Sequence, residues 1–141
     1  MNYNAIRRVT NLSSPAALRV ETIAGTGNWW DLTNGFANAT GFSMPWGCAF
    51  DRKRNVLYVA DVISTDLRRI NLTDMFVTRL VGNVNPAYDP STWDGLYADA
   101  GTSIQLSFLN AMKIDPTFTT LYLGEGFCGG HLHVQPGLGP D

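Results

Sequence analysis

Between Pro45 and Val81 the chain alternates short apolar runs with polar, turn-forming interruptions. The runs are GCAF (Gly47 to Phe50), LYVAD (Leu57 to Asp61), LRRI (Leu67 to Ile70) and VTRLV (Val77 to Val81). Each is too short for a stable helix, and their β-branched and aromatic content fits strands. In LYVAD, Leu57 and Val59 share one face and Tyr58 and Ala60 the other, so both faces are apolar and the strand is expected to be covered on both sides. Arg68, Arg69 and Arg79 in the third and fourth runs predict that these strands lie nearer solvent. The interruptions DRKRN (Asp51 to Asn55) and DVISTD (Asp61 to Asp66) are of hairpin length and carry Asp and Ser able to bond their own turn backbone. A four-stranded antiparallel meander follows. Its apolar faces require neighbouring sheets, an arrangement that radial stacking in a propeller supplies.

The flanks repeat the unit. VETIAG (Val20 to Gly25) matches VTRLVG (Val77 to Gly82), NGFANA (Asn34 to Ala39) matches DGLYAD (Asp94 to Asp99), and IRRV (Ile6 to Val9) matches LRRI. CAFD (Cys48 to Asp51) matches MKID (Met112 to Asp115), LYVAD matches LYLGE (Leu121 to Glu125), and HLHV (His131 to Val134) is the last such run. A period of about sixty residues marks a repeat architecture. The expected division is 1–25 as the last two strands of a preceding blade, 26–82 as a complete blade with a long entry connection, 83–135 as a second, degenerate blade lacking its last strand, and 136–141 as irregular.

These residues resemble the NHL repeat, a family that builds β-propellers. Thr22, Ala24, Gly25, Asn34, Gly35, Ala39 and Phe42 fit its first half. Pro45, Gly47, Ala49, Asp51, Tyr58, Val59, Ala60, Asp61, Leu67, Arg68, Arg69 and Ile70 fit its second. The chain departs from the family pattern where Ser64 and Thr65 replace the usual Asn-His turn, and where Leu109 and Ala111 stand at the positions of Pro45 and Gly47. The resemblance implies an all-β fold: a partial β-propeller of four-stranded antiparallel blades, incomplete and not closed. It also implies an interaction scaffold. With too few strands for a closed ring, the chain reads as a fragment or as a piece completed by further blades from the same or another chain.

Composition narrows the alternatives. The formal net charge is -2 and 45% of the 141 residues are hydrophobic. That is enough for a core but offers no basic face for nucleic acid. The run Arg52, Lys53, Arg54 reads as a solvated hairpin loop. Cys48 and Cys128 occupy inequivalent repeat positions and imply no disulfide; Cys48, in an apolar strand, reads as a small buried hydrophobe. No signal peptide and no membrane-spanning run is visible. The triplets at Asn11, Asn38 and Asn71 are too common by composition to indicate secretion.

Candidate chemistry lies in the long connections, 26–44 and 83–107. Trp29, Trp30, Phe36 and Phe42 lie in the first, and Tyr88, Trp93 and Tyr97 in the second. Trp29, Trp30, Trp93 and Tyr97 are the expected partner-binding residues, because Trp and Tyr dominate interaction hot spots. Asn34-Gly35 and Asp94-Gly95 read as tight turns with Gly at positive φ. Asp89, Asp94 and Asp99 fail the spacing of a calcium loop. His131 and His133 have the spacing of a metal pair but no third histidine exists in the chain, so no metal or other cofactor is expected. Members resembling this family include lyases that hold a metal over the channel, and RNA binders. An enzymatic reading would need ligands from further blades, and an RNA-binding one a basic face. No Ser-His-Asp or Cys-His arrangement and no phosphate loop is present. The function expected from the sequence is capture of a protein or other macromolecule, without catalysis.

Overall fold

The computed structural model describes residues 4–28, 32–82, 106 and 109–125. It is all-β, with antiparallel sheets and no closed barrel, a partial propeller. Strand β1 (Ile6–Thr10) pairs with β2 (Arg19–Ala24) across a link containing one 3-10 turn at Pro15–Ala17. The central sheet contains β3 (Gly35–Phe36), β4 (Pro45–Asp51), β5 (Val56–Asp61), β6 (Asp66–Asn71) and β7 (Phe76–Val81), in the order β3-β7-β6-β5-β4. A second two-stranded sheet joins β8 (Leu109–Ile114) to β9 (Leu121–Glu125). Among the described residues no helix is long and apolar enough to cross a membrane.

The four predicted strands are present and one more is added. Gly35 and Phe36 pair with Val77 and Phe76 at the outer edge, and the Phe36 and Phe76 rings meet edge to face at 5.6 Å. Gly35 is therefore in a strand, and it is not among the glycines with positive φ, contrary to the expected tight turn. Asn34 still serves the backbone, since its Oδ1 accepts the Arg79 amide at 2.7 Å.

The repeat is expressed in register. In β4–β5, Pro45 faces Asp61, the ladder slips between Pro45 and Gly47, and Gly47 faces Ala60. In β8–β9, Leu109 faces Glu125, the ladder slips between Leu109 and Ala111, and Ala111 faces Gly124. Each pair lies 64 positions after its counterpart, bulge included. The β1–β2 hairpin reproduces β6–β7 in the same way: Ile6–Ala24 and Arg7–Thr22 correspond to Leu67–Val81 and Arg68–Arg79, again with the slip between them. A bulge re-aims the strand beyond it, so conserving its place keeps the apolar face on one side.

Asp51 and Asp115 close the two equivalent hairpins. Asp51 Oδ1 accepts from the amides of Lys53 (2.9 Å) and Arg54 (3.0 Å). Asp115 accepts from the amides of Thr117, Thr119 and Thr120 and from the Thr117 hydroxyl. The Thr117 hydroxyl and the Thr120 amide lead in holding the Asp115 carboxyl well below the usual carboxylate range, against a smaller opposing effect of burial.

Packing joins the sheets on both faces of the central one. Ala24 and Ile6 of the first hairpin meet Val59, Ile70 and Val77, with Ala37 and Phe42 of the connection between them. Val59, Ile70, Val77 and Phe42 are fully buried, each contributing about 1.5–3 kcal/mol on removal from water. On the opposite face Ala49, Val56, Ala60 and Leu67 are buried, and β8 lies against β4 and β5. The basic turn is not simply solvated. Arg54 donates to the Phe118 carbonyl of the β8–β9 turn, and the Arg52 guanidinium stands 5.5 Å from the Phe118 ring centre. Cys48, expected inside, is an exposed free thiol, because nothing among the described residues covers its face of the edge strand β4.

Gly25 and Gly82, equivalent in the repeat, have φ of 107° and 113°. A Cβ on Gly82 would lie 2.7 Å from the Thr65 carbonyl oxygen and 2.9 Å from Asp66 Cα; one on Gly25 would lie 2.8 Å from Asn4 O and Ala5 Cα. Nothing lies within 4 Å of a Cβ on Gly47. Gly82→Ala is therefore predicted to cost about 2–4 kcal/mol from backbone strain and overpacking. Gly47→Ala, which introduces the residue found at the equivalent position 111, should change stability by less than about 0.5 kcal/mol. Urea unfolding of the two variants checks both; equal losses would contradict this packing.

Candidate functional site

The most highly organised polar cluster lies where β5, β6 and β7 meet the connection that precedes β4. The hairpin register places Asp61 opposite Asp66, and Arg68 opposite Arg79. Like charges facing each other destabilise a sheet unless opposite charges and hydrogen bonds compensate. Asp61, Asp66 and Arg68 are all 0% exposed. Compensation is local. Arg79 Nε pairs with Asp66 Oδ2 at 2.8 Å. Burial pushes the Asp66 carboxyl up, and the Arg79 hydrogen bond and charge pull against that rise.

The remaining donors and acceptors hold the connection. Asp61 accepts from the Ser43 amide at 3.0 and 2.8 Å, one to each oxygen, and from the Met44 amide at 2.6 Å. Arg68 donates to the carbonyls of Gly41 and Thr33, each at 2.8 Å, and its guanidinium lies 5.1 Å from the centre of the Phe42 ring. Arg79 adds a bond to the Leu32 carbonyl at 3.2 Å. Two aspartates and two arginines thus balance in charge and hold residues 32–34 and 41–44 against the sheet.

This cluster corrects the expectation that the arginine-bearing strands face solvent. Arg68 shares the face of Val59 and is fully buried, while the Arg79 side chain is only 12% exposed. The signal in the sequence was the matching number of acidic residues at the intervening turn. Asp61 and Asp66 bracket it, and Arg68 follows at the spacing that returns to the Asp66 side of the strand.

Of the residues expected to bind a partner, Trp29, Trp30, Trp93 and Tyr97 lie outside the described residues, as do His131 and His133. Downstream of Trp29 and Trp30, the carbonyls of Leu32 and Thr33 are bound by Arg79 and Arg68; upstream, the Asn28 amide donates locally to Thr26 Oγ1 at 3.2 Å. The other two aromatics of this connection divide, Phe42 into the core and Phe36 onto the surface. Among the described residues no group of three His, Cys, Asp or Glu could hold a metal ion. Its hydrogen bonds run to backbone groups of the connection, so its chemistry is that of an anchor.

No protein-family model and no curated protein sequence matches the chain. Among solved structures it is similar to a structural genomics protein of unknown function from Bacteroides thetaiotaomicron, with a TM-score of 0.66 at 15% identity. The similarity covers 88% of this chain and 28% of that one. It shows a shared β-rich fold.

Asp61→Ala removes the acceptor for the buried Ser43 amide and the half-buried Met44 amide. A loss of about 2–4 kcal/mol is predicted, together with faster hydrogen exchange at Ser43 and Met44. Stability and exchange both unchanged would show that the connection is held elsewhere.

Proposed function

We propose that the chain is part of an NHL-like propeller scaffold that captures a protein partner through the connections leading into its sheets. The observation that carries this reading is the buried Asp61, Asp66, Arg68 and Arg79 cluster, which fixes both ends of segment 32–44. A connection held by so many buried charges presents its remaining residues at a low entropic cost on binding. Trp29 and Trp30 lie just before that segment in the same connection, and Trp93 and Tyr97 in the corresponding connection of the next repeat. Large amphipathic rings next to an anchored segment suit protein recognition. Further sheets from the same or another chain complete the propeller. The net charge of -2 favours a protein over a nucleic acid.

Simultaneous Trp29→Ala and Trp30→Ala replacement tests the reading. The partner captured by proximity labelling with the parent chain should be lost, by at least about tenfold in affinity, while the unfolding midpoint stays within about 0.5 kcal/mol of the parent. Undiminished capture by the folded variant would overturn it.

A further inference from the structure

One arginine of the central sheet stands apart from the buried charge cluster. The register sets Tyr58 of β5, Arg69 of β6 and Thr78 of β7 side by side on one row, with Ala49 of β4 at its end. Tyr58, Arg69 and Thr78 are all half-buried. Arg69 Nε is out of contact with water and has no hydrogen-bond partner, a state that is costly for a buried donor. Among the described residues, no hydrogen bond or ion pair reaches the rest of its guanidinium, the Tyr58 hydroxyl or the Thr78 hydroxyl. Three donors thus lie in line without an acceptor.

The carboxylates of the same sheet are committed elsewhere. Asp51, on the adjacent row of the same face, serves Arg54 and the amides of Lys53 and Arg54. Asp61 and Asp66 belong to the opposite face, with Arg68. The first hairpin reveals what this position takes when a partner is at hand. Arg8 and Glu21 face each other at the place of Arg69 and Thr78, and Arg8 Nε donates to Glu21 Oε1 at 2.8 Å. In the central sheet threonine replaces the glutamate, so the guanidinium keeps its place and loses its anion. Arg69 also lies deeper than Arg8, whose side chain is 53% exposed.

We propose that Arg69, flanked by Tyr58 and Thr78, is a binding site for a carboxylate. The guanidinium offers two parallel donors that match the two oxygens of that group. The hydroxyls on either side can each donate as well. A single positive charge between neutral hydroxyls balances a single negative charge, which favours a carboxylate over a phosphate dianion. The group is that of a small carboxylic acid or of an acidic side chain, which share this chemistry. This inference stands on the register and on the replacement of Glu21 by Thr78, and it does not depend on the partner-capture reading.

The test uses the full chain labelled with heavy nitrogen, with sodium acetate replacing sodium chloride at constant ionic strength. The Arg69 Nε–H and Thr78 amide resonances are expected to shift saturably with acetate and to stay unmoved by chloride. Arg69→Lys keeps the charge but loses the planar fork, and should weaken the response at the Thr78 amide by at least about tenfold. Thr78→Glu restores the pair of the first hairpin. In that variant Arg69 Nε–H should take up its acetate-bound position in chloride alone, the acetate response should vanish, and the thermal midpoint should not fall. A glutamate blocked at both backbone ends, titrated in parallel, separates the sources: tighter binding than acetate assigns an acidic side chain, weaker binding a small acid. A linear drift shared with Arg8 and Arg19, or an equal response in Arg69→Lys, would overturn the proposal. So would an Arg69 Nε–H that is already bonded in chloride and indifferent to acetate, since a carboxylate of the chain itself would then fill the place.

Discussion

Fixing a long connection against a sheet with buried charge is the constraint from which the rest of this structure follows. Asp61, Asp66 and Arg68 are removed from water, a step that costs several kcal/mol per ion unless partners are in place. Asp66 has Arg79 beside it, and the partners of Asp61 and Arg68 are backbone groups of the connection itself: the amides of Ser43 and Met44, and the carbonyls of Thr33 and Gly41. Sheet and connection therefore stabilise each other, and neither satisfies its polar groups alone. Phe42, fully buried beneath the Arg68 guanidinium, ties the same segment to the apolar core. Polar and apolar anchoring act at one place.

Stacking of successive sheets uses a second, lighter device. The turn after β4 sends Arg54 to the backbone of the turn after β8, and Arg52 to its phenylalanine ring. Both residues are largely in water, where such contacts contribute about 0–1 kcal/mol. They set the relative register of the two sheets more than they stabilise it. The main adhesion is the burial of small and branched side chains of β4 and β5, Ala49, Val56 and Ala60, on the side where β8 lies.

Much of this was legible in the residues. Period-two patterning located β4 to β7 to within two residues at each end, and the sixty-residue recurrence located β1, β2, β8 and β9. The structure added what patterning does not carry: the ladder slips recur at equivalent positions, including where Leu109 and Ala111 replace Pro45 and Gly47. Three expectations failed for identifiable reasons. Arginine by type marks solvent, whereas Arg68 is buried because the carbonyls of Gly41 and Thr33 accept from its guanidinium. The apolar strand predicts a buried Cys48, whereas that strand is an edge and the thiol is exposed. The Asn34-Gly35 pair predicts a tight turn, whereas a two-residue strand pairing with β7 overrides the local preference. The expected binding aromatics sit in connections whose sequence carries no periodicity, so pattern could name them but not orient them.

Equivalence of the two hairpins is the claim on which the account stands, because the repeat and the stacking are both inferred from it. Cross-strand nuclear Overhauser effects in solution test it most directly. The account predicts contacts between Ala49 and Tyr58 and, 64 residues on, between Lys113 and Tyr122, with the slip after residues 45 and 109 in both. Contacts running directly between β5 and β9, joining them as neighbours in one sheet, would contradict it.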